Sequence, residues 1–124
     1  MPHLPKISEA EWEVMKALWQ RSPQTANELA EAVAPPNEWN PLTVKTLINR
    51  LVRKKAIGRT KQGRAFLFHP LIQQADCAVA ETESFVERVF NGSLNPMLTF
   101  LVQRKKLSRG QIAELKKILE EEEG

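Results

Sequence analysis

Apolar residues in this chain recur at helical spacing as far as Gly58, at two-residue spacing as far as His69, and at helical spacing again beyond Pro70. Such a change of period constrains a fold strongly, because a helix buries every third or fourth side chain and a strand every second. The order it predicts is three helices, a hairpin and three more helices, a mainly α chain with a small β-hairpin.

Local signals set the expected boundaries. Ser8 and Glu11 form a capping box, with Ile7 and Trp12 placed as its hydrophobic staple. Val14 and Leu18 continue the stripe with Ala10, Met15, Ala17 and Trp19, and Ser22-Pro23 ends it. Thr25 and Glu28 repeat the capping box for a second helix that points Leu29 and Val33 inward and breaks at Ala34-Pro35-Pro36-Asn37. Asn40 and Pro41 supply an N-cap and a first-turn proline for a third helix, which buries Val44, Leu47, Ile48, Leu51 and Val52 and runs until Gly58. Arg59-Thr60-Lys61 and the stretch from Arg64 to His69 read as strands around a Gln62-Gly63 turn. A long amphipathic helix then carries Ile72, Ala75, Val79, Val86, Val89 and Phe90 and stops at Asn91-Gly92. Asn95-Pro96 opens a short apolar helix through Val102. Ser108 with Gln111 starts the last helix, whose inward positions are Ile112, Leu115, Ile118 and Leu119.

A chain of 124 residues fits one domain or two small linked ones. The expected division is 1–70 for three helices and hairpin, and 71–124 for the helices beyond. Those last helices bury little alone and want a partner. No apolar run reaches the roughly 18 residues of a membrane span, and the first residues resemble no secretory signal, so a cytoplasmic protein without membrane insertion is expected. The single cysteine, Cys77, excludes an intrachain disulfide and a cysteine-rich metal site.

Charge is distributed unevenly. Residues 1–38 carry three Lys/Arg and six Asp/Glu, whereas residues 39–75 carry eight basic residues and no acidic one. A compact cationic face is the electrostatic footprint of a polyphosphate partner. On the third helix, Leu42, Thr46, Asn49, Arg50 and Arg53 lie opposite the buried stripe, with Thr43 and Lys45 on the flanks. Hydroxyls, an amide, a guanidinium and an apolar contact are the groups that read base edges in a major groove. The expected base readers are Leu42, Thr43, Thr46, Asn49 and Arg50. The expected phosphate contacts are Lys45, Arg53, Lys54, Lys55 and, on the hairpin, Arg59, Lys61 and Arg64. Two short helices, a Pro-rich connection and a basic hairpin match a winged helix-turn-helix that binds double-stranded DNA.

Other classes fare less well. His3 lies near the N-terminus, His69 beside a proline and Cys77 early in a helix, a set that suits neither a metal nor a nucleophile–base pair. No Gly-rich phosphate loop is present, so no catalytic residue, cofactor or small-molecule ligand is expected. Trp12, Trp19 and Trp39 read as core anchors, and Phe66 and Phe68 as packing for the hairpin. Two alternatives remain: a helical protein-interaction module with an incidental basic face, and an RNA binder that stacks bases on Phe66 and Phe68.

Two segments resemble a known family. Ile7-Ser8-Glu9-Ala10-Glu11-Trp12-Glu13-Val14-Met15 is similar to the opening of the penicillinase repressors, the BlaI/MecI/CopY group. Trp39-Asn40-Pro41-Leu42-Thr43-Val44-Lys45-Thr46-Leu47-Ile48-Asn49-Arg50-Leu51 is similar to that family's recognition helix. The resemblance implies a homodimeric repressor that reads an operator dyad and interlocks through its C-terminal helices. Ile72, Val79, Val86, Val89, Phe90, Leu98, Leu101, Ile112, Leu115 and Leu119 would then serve dimerisation. It also implies control of β-lactam-response genes and release through a membrane-bound sensor protease, with cleavage at the Asn-Phe bond of a short apolar helix. Thr99-Phe100 stands at that bond here, with threonine in place of asparagine. The paired cysteines of the copper-responsive branch are absent, and leucine replaces the lysine some relatives carry at position 42.

Overall fold

A computed structural model describes residues 4–123, so His3 lies outside the described residues. The element order is α1 (Glu9–Gln20), α2 (Ala26–Asn37), α3 (Pro41–Arg53), β1 (Ile57–Gln62), β2 (Ala65–Pro70), α4 (Gln74–Phe90), α5 (Leu94–Gln103) and α6 (Arg109–Glu123). The predicted helix–hairpin–helix order is therefore present. The chain divides into two compact units between Ala80 and Glu81.

The first unit holds a closed core. Val14, Met15 and Leu18 of α1, Leu29 and Val33 of α2, and Val44, Leu47, Ile48 and Leu51 of α3 are buried together with Ile57 and Phe68. Trp12, Trp19 and Trp39 pack half-buried against this core, as anchors rather than as a stacking platform. Trp12 and Trp19 meet edge to face at 5.5 Å, and the Trp19 indole donates to the Ile72 carbonyl at 3.0 Å. The capping boxes at Ser8 and Thr25 are both formed.

Helix ends differ from expectation. Pro35 and Pro36 lie inside α2 rather than breaking it. Their fixed φ suits a helix, and the two hydrogen bonds they forgo fall in the final turn, where the carbonyls of Glu31 and Ala32 are on exposed residues. The chain leaves α2 at Glu38 (φ 56°) and α3 at Lys55 (φ 65°). At the second of these, the Ala56 amide donates to the Leu51 carbonyl and the Lys55 amide to the Val52 carbonyl, the paired bonds of a Schellman motif. A lysine therefore holds the left-handed position that glycine usually takes, and α3 ends at Arg53 instead of reaching Gly58.

Gly58 lies within β1, opposite His69. A Cβ there would come within 2.6 Å of the His69 Nε2, so close approach across the hairpin, not helix termination, explains the glycine. The strands pair antiparallel from Ile57↔Pro70 to Gln62↔Ala65, which moves the loop one residue on, to Gly63-Arg64. Gly63 takes φ +63°, as the first central position of a type II′ hairpin requires. Gln24 adds a bridge that the sequence did not reveal, exchanging both backbone hydrogen bonds with Phe68 (3.1 and 2.8 Å) and docking the hairpin on the α1–α2 connection.

The second unit is more open. Val86 is buried and the rings of Phe85 and Phe90 meet at 5.9 Å, but Val89, Leu94, Phe100, Val102, Leu115, Ile118 and Leu119 remain exposed. Helix α5 begins after Ser93, two residues before the expected Asn95-Pro96 start. The Ser108–Gln111 capping box at α6 is formed by reciprocal bonds of 2.8 and 3.1 Å.

Candidate nucleic-acid interface

Helix α3 separates two faces. Val44, Leu47, Ile48 and Leu51 anchor it in the core, while Leu42, Thr43, Thr46, Asn49, Arg50 and Arg53 face solvent and Lys45 is half-buried. Asn40 caps its start, accepting from the Leu42 amide at 2.9 Å. The expected readers thus lie together on one exposed, rigidly held surface. Leu42, at 68% exposure, is its most prominent apolar group. Such exposure of a leucine is ordinary by itself, but here it stands at the N-terminal end of a polar row. The Thr46 hydroxyl donates to the Leu42 carbonyl at 3.0 Å, so its oxygen is left free to accept.

The cations fall into two groups. Lys45, Arg50, Arg53, Lys55, Arg59, Lys61 and Arg64 have no carboxylate within ion-pair distance among the described residues. Their field is therefore uncompensated locally. Lys54 differs: its Nζ lies 2.5 Å from Glu11 Oε1 and 2.9 Å from the Lys6 carbonyl. Sequence proximity grouped Lys54 with the phosphate contacts, but two of its three donors are already engaged. Burial pushes the Glu11 carboxyl up, yet the hydrogen bonds from Lys54 and Ser8 outweigh it and hold the carboxyl below its ordinary value.

On the hairpin, Arg59, Lys61 and Arg64 are all exposed. The Arg59 guanidinium sits 4.7 Å from the centroid of the Phe66 ring. Phe66, 40% exposed, therefore supports a wing cation instead of taking the role expected from sequence, packing the hairpin against the helices. Phe68 does pack there, at 6% exposure, and a buried ring offers no face for stacking a base.

The remaining candidates separate as well. Ile72, expected in a dimer contact, packs half-buried against the first unit's core and accepts from Trp19. Val86 is buried, and Phe90, Leu98, Leu101 and Ile112 are half-buried. Val79, Val89, Leu115 and Leu119 are exposed, and so are Phe85, Leu94, Val102 and Ile118, of which only Ile118 was singled out in sequence. Thr99 and Phe100 are exposed on α5, with the Arg104 guanidinium 5.4 Å from the Phe100 ring centroid. Cys77 is a buried free thiol, pushed up by burial and by the neighbouring Asp76 carboxylate, and so poorly suited to nucleophilic chemistry. Among the described residues no helix is long and apolar enough to cross a membrane, and no cluster of side chains is arranged to hold a metal.

The penicillinase repressor of Bacillus licheniformis is 38% identical over 121 residues, covering 98% of this chain and 94% of the relative. The methicillin resistance regulatory protein MecI of Mammaliicoccus sciuri is 34% identical over 114 residues, covering 92% of this chain and 93% of the relative. Among solved structures, the Bacillus licheniformis BlaI monomeric form in complex with the blaP half-operator matches with a TM-score of 0.54 at 38% identity, over 61% of this chain and 93% of that one. A family profile described as penicillinase repressor matches residues 7–121, and the chain belongs to that family.

Proposed function

We propose that this protein is a transcriptional repressor that binds double-stranded operator DNA as a homodimer through α3 and the hairpin wing. One observation carries the reading: α3 is anchored by a wholly apolar face and presents the opposite, polar face beside seven cations that have no carboxylate partner among the described residues. Leu42, Thr43, Thr46, Asn49 and Arg50 read base edges. Lys45, Arg53, Lys55, Arg59, Lys61 and Arg64 hold phosphates and set the register. The BlaI structure bound to a half-operator supports a DNA-binding reading, since it matches 61% of this chain at 38% identity.

Residues 71–124 serve dimerisation in this reading. The apolar side chains left exposed on α4, α5 and α6 support it, because a monomer in water seldom leaves so many uncovered. A dimer sets two α3 helices in successive major grooves about 34–36 Å apart, or a multiple of that spacing. The chain acts in the cytoplasm, on genes of the β-lactam response. A membrane-bound sensor protease cutting at the exposed Thr99-Phe100 bond would release it, because losing the dimer removes the tether between half-sites.

Titration of a duplex pool with the full chain in rising salt tests the core of this reading. A saturable duplex complex whose affinity falls steeply with salt is expected, with some sequences favoured over others. Equal binding to every duplex, stronger binding to single strands, or no complex at all would overturn it.

A further inference from the structure

One ammonium ties three parts of the first unit together. Lys54 follows the last residue of α3, and its Nζ donates to Glu11 Oε1 on α1 and to the backbone carbonyl of Lys6 ahead of α1. The same Glu11 oxygen accepts the Ser8 amide at 2.9 Å, so the capping box of α1 and the end of α3 share one atom. The Glu11 side chain is only 2% exposed, and its other oxygen, Oε2, has no hydrogen-bond partner among the described residues.

This is a poor way to gain stability. A buried carboxylate loses its hydration, and one unsatisfied oxygen leaves that loss partly uncompensated. An apolar pair of similar shape would hold the helices together at least as well. What an apolar pair lacks is direction: the contacts of Val44, Leu47, Ile48 and Leu51 resist separation of α3 from the core but only weakly resist its rotation. A hydrogen-bonded ion pair at the helix end fixes rotation and axial position, at the point where the Schellman turn launches the wing.

We propose that Glu11 and Lys54 are a positioning pair that sets the rotation of α3 and so aims Thr46, Asn49 and Arg50, and that Lys54 is not a phosphate contact. The proposal rests on α3 being the DNA-reading helix. It assigns a buried acid of α1, remote in sequence from every candidate reader, to operator specificity.

The test uses the full chain with both side chains made apolar, Glu11→Leu with Lys54→Met, which leaves net charge unchanged. The probes are a duplex recovered from a random pool by the unaltered protein and a mixed-sequence duplex of equal length, titrated by fluorescence anisotropy at several salt concentrations. The expected result is a folded protein by circular dichroism and about a tenfold loss of affinity for the selected duplex. Affinity for the mixed duplex should stay within about twofold, with the salt slope unchanged. Lys54→Arg alone, which keeps a donor for Glu11, should preserve discrimination. Unchanged affinity for the selected duplex would overturn the proposal. So would an equal loss on both duplexes with the slope flattened by about one unit, the signature of a lost phosphate contact. If the double variant does not fold, Glu11→Gln decides: it keeps the shape and weakens the pair, and unaltered discrimination would overturn the proposal. Arg50→Ala is run alongside. If it too leaves discrimination intact, the reading of α3 is at fault, separately from the pair.

Discussion

The two units of this chain handle their apolar residues in opposite ways. Along α1, α2 and α3 of the first unit, side chains at the expected inward positions are inward: Val14, Met15, Leu18, Leu29, Val44 and Leu51 are fully buried. Beyond Glu81, helices with equally clear apolar stripes leave most of them in solvent, with Val89 at 53% and Leu119 at 59% exposure. Three helices clamped by a hairpin enclose a core; three successive helices without a sheet do not enclose one at this length. The difference teaches that amphipathicity specifies a face to be covered, not what covers it. In the first unit the cover is the chain itself, and in the second we assign it to another copy.

Core truncation should divide the units most sharply. Leu18→Ala leaves a cavity in a filled core and should cost about 2–5 kcal/mol in chemical denaturation, at any protein concentration. Leu119→Ala should shift the midpoint mainly at low concentration, where dimers dissociate. A Leu119→Ala loss independent of concentration would break the comparison.

Next in size, Val79→Glu with Val89→Glu places charges on the exposed stripe. Affinity for a two-half-site operator should fall by about 10²-fold, since avidity is lost, while a single half-site is bound as before. Sedimentation should show monomers; a persistent dimer would mean that other residues form the contact. Within the first unit, Arg50→Ala should cost about 1–3 kcal/mol on the preferred duplex and little on random DNA. Equal losses would demote Arg50 to a phosphate contact.

The pH dependence sharpens the same contrast. Glu11 is held below its ordinary value in the folded state, so its contribution is present above the unfolded value and is lost as pH falls through the folded one. Acid unfolding monitored by tryptophan fluorescence should therefore weaken the first unit below about pH 4.5, the unfolded reference. Glu11→Gln should remove that part of the pH dependence. The smallest effect concerns Lys55, left-handed at φ 65°. Lys55→Gly relieves backbone strain but adds unfolded-state entropy, for a net gain of at most about 1 kcal/mol. It should also flatten the salt slope by about one unit; a steady slope would remove Lys55 from the phosphate contacts.

Much of the reading surface was legible without coordinates. The row from Leu42 to Arg53 follows from a 100° rotation per residue applied to a helix whose cap and buried stripe are both written locally. The helix ends were not. Lys55 and Glu38 occupy positions where glycine is the usual signal, and Pro35-Pro36 continue a helix they were expected to end. In each case tertiary packing of the neighbouring residues overrides the local preference. Phe66 and Phe68 were indistinguishable in sequence, yet one lies under an arginine and the other in the core.

Sequence by itself determined the order of elements, the capping boxes at Ser8, Thr25 and Ser108, the acid-free stretch and the composition of the α3 face, because these depend on residues within a few positions of one another. Tertiary structure alone decided that Gln24 would stitch the wing to the helices, that Gly58 would serve His69, that Ile72 would join the first core, and that Lys54 would be spent on Glu11. Those pairings join residues 11 to 53 positions apart in the chain. No local pattern encodes them; they exist only once packing has brought the elements together.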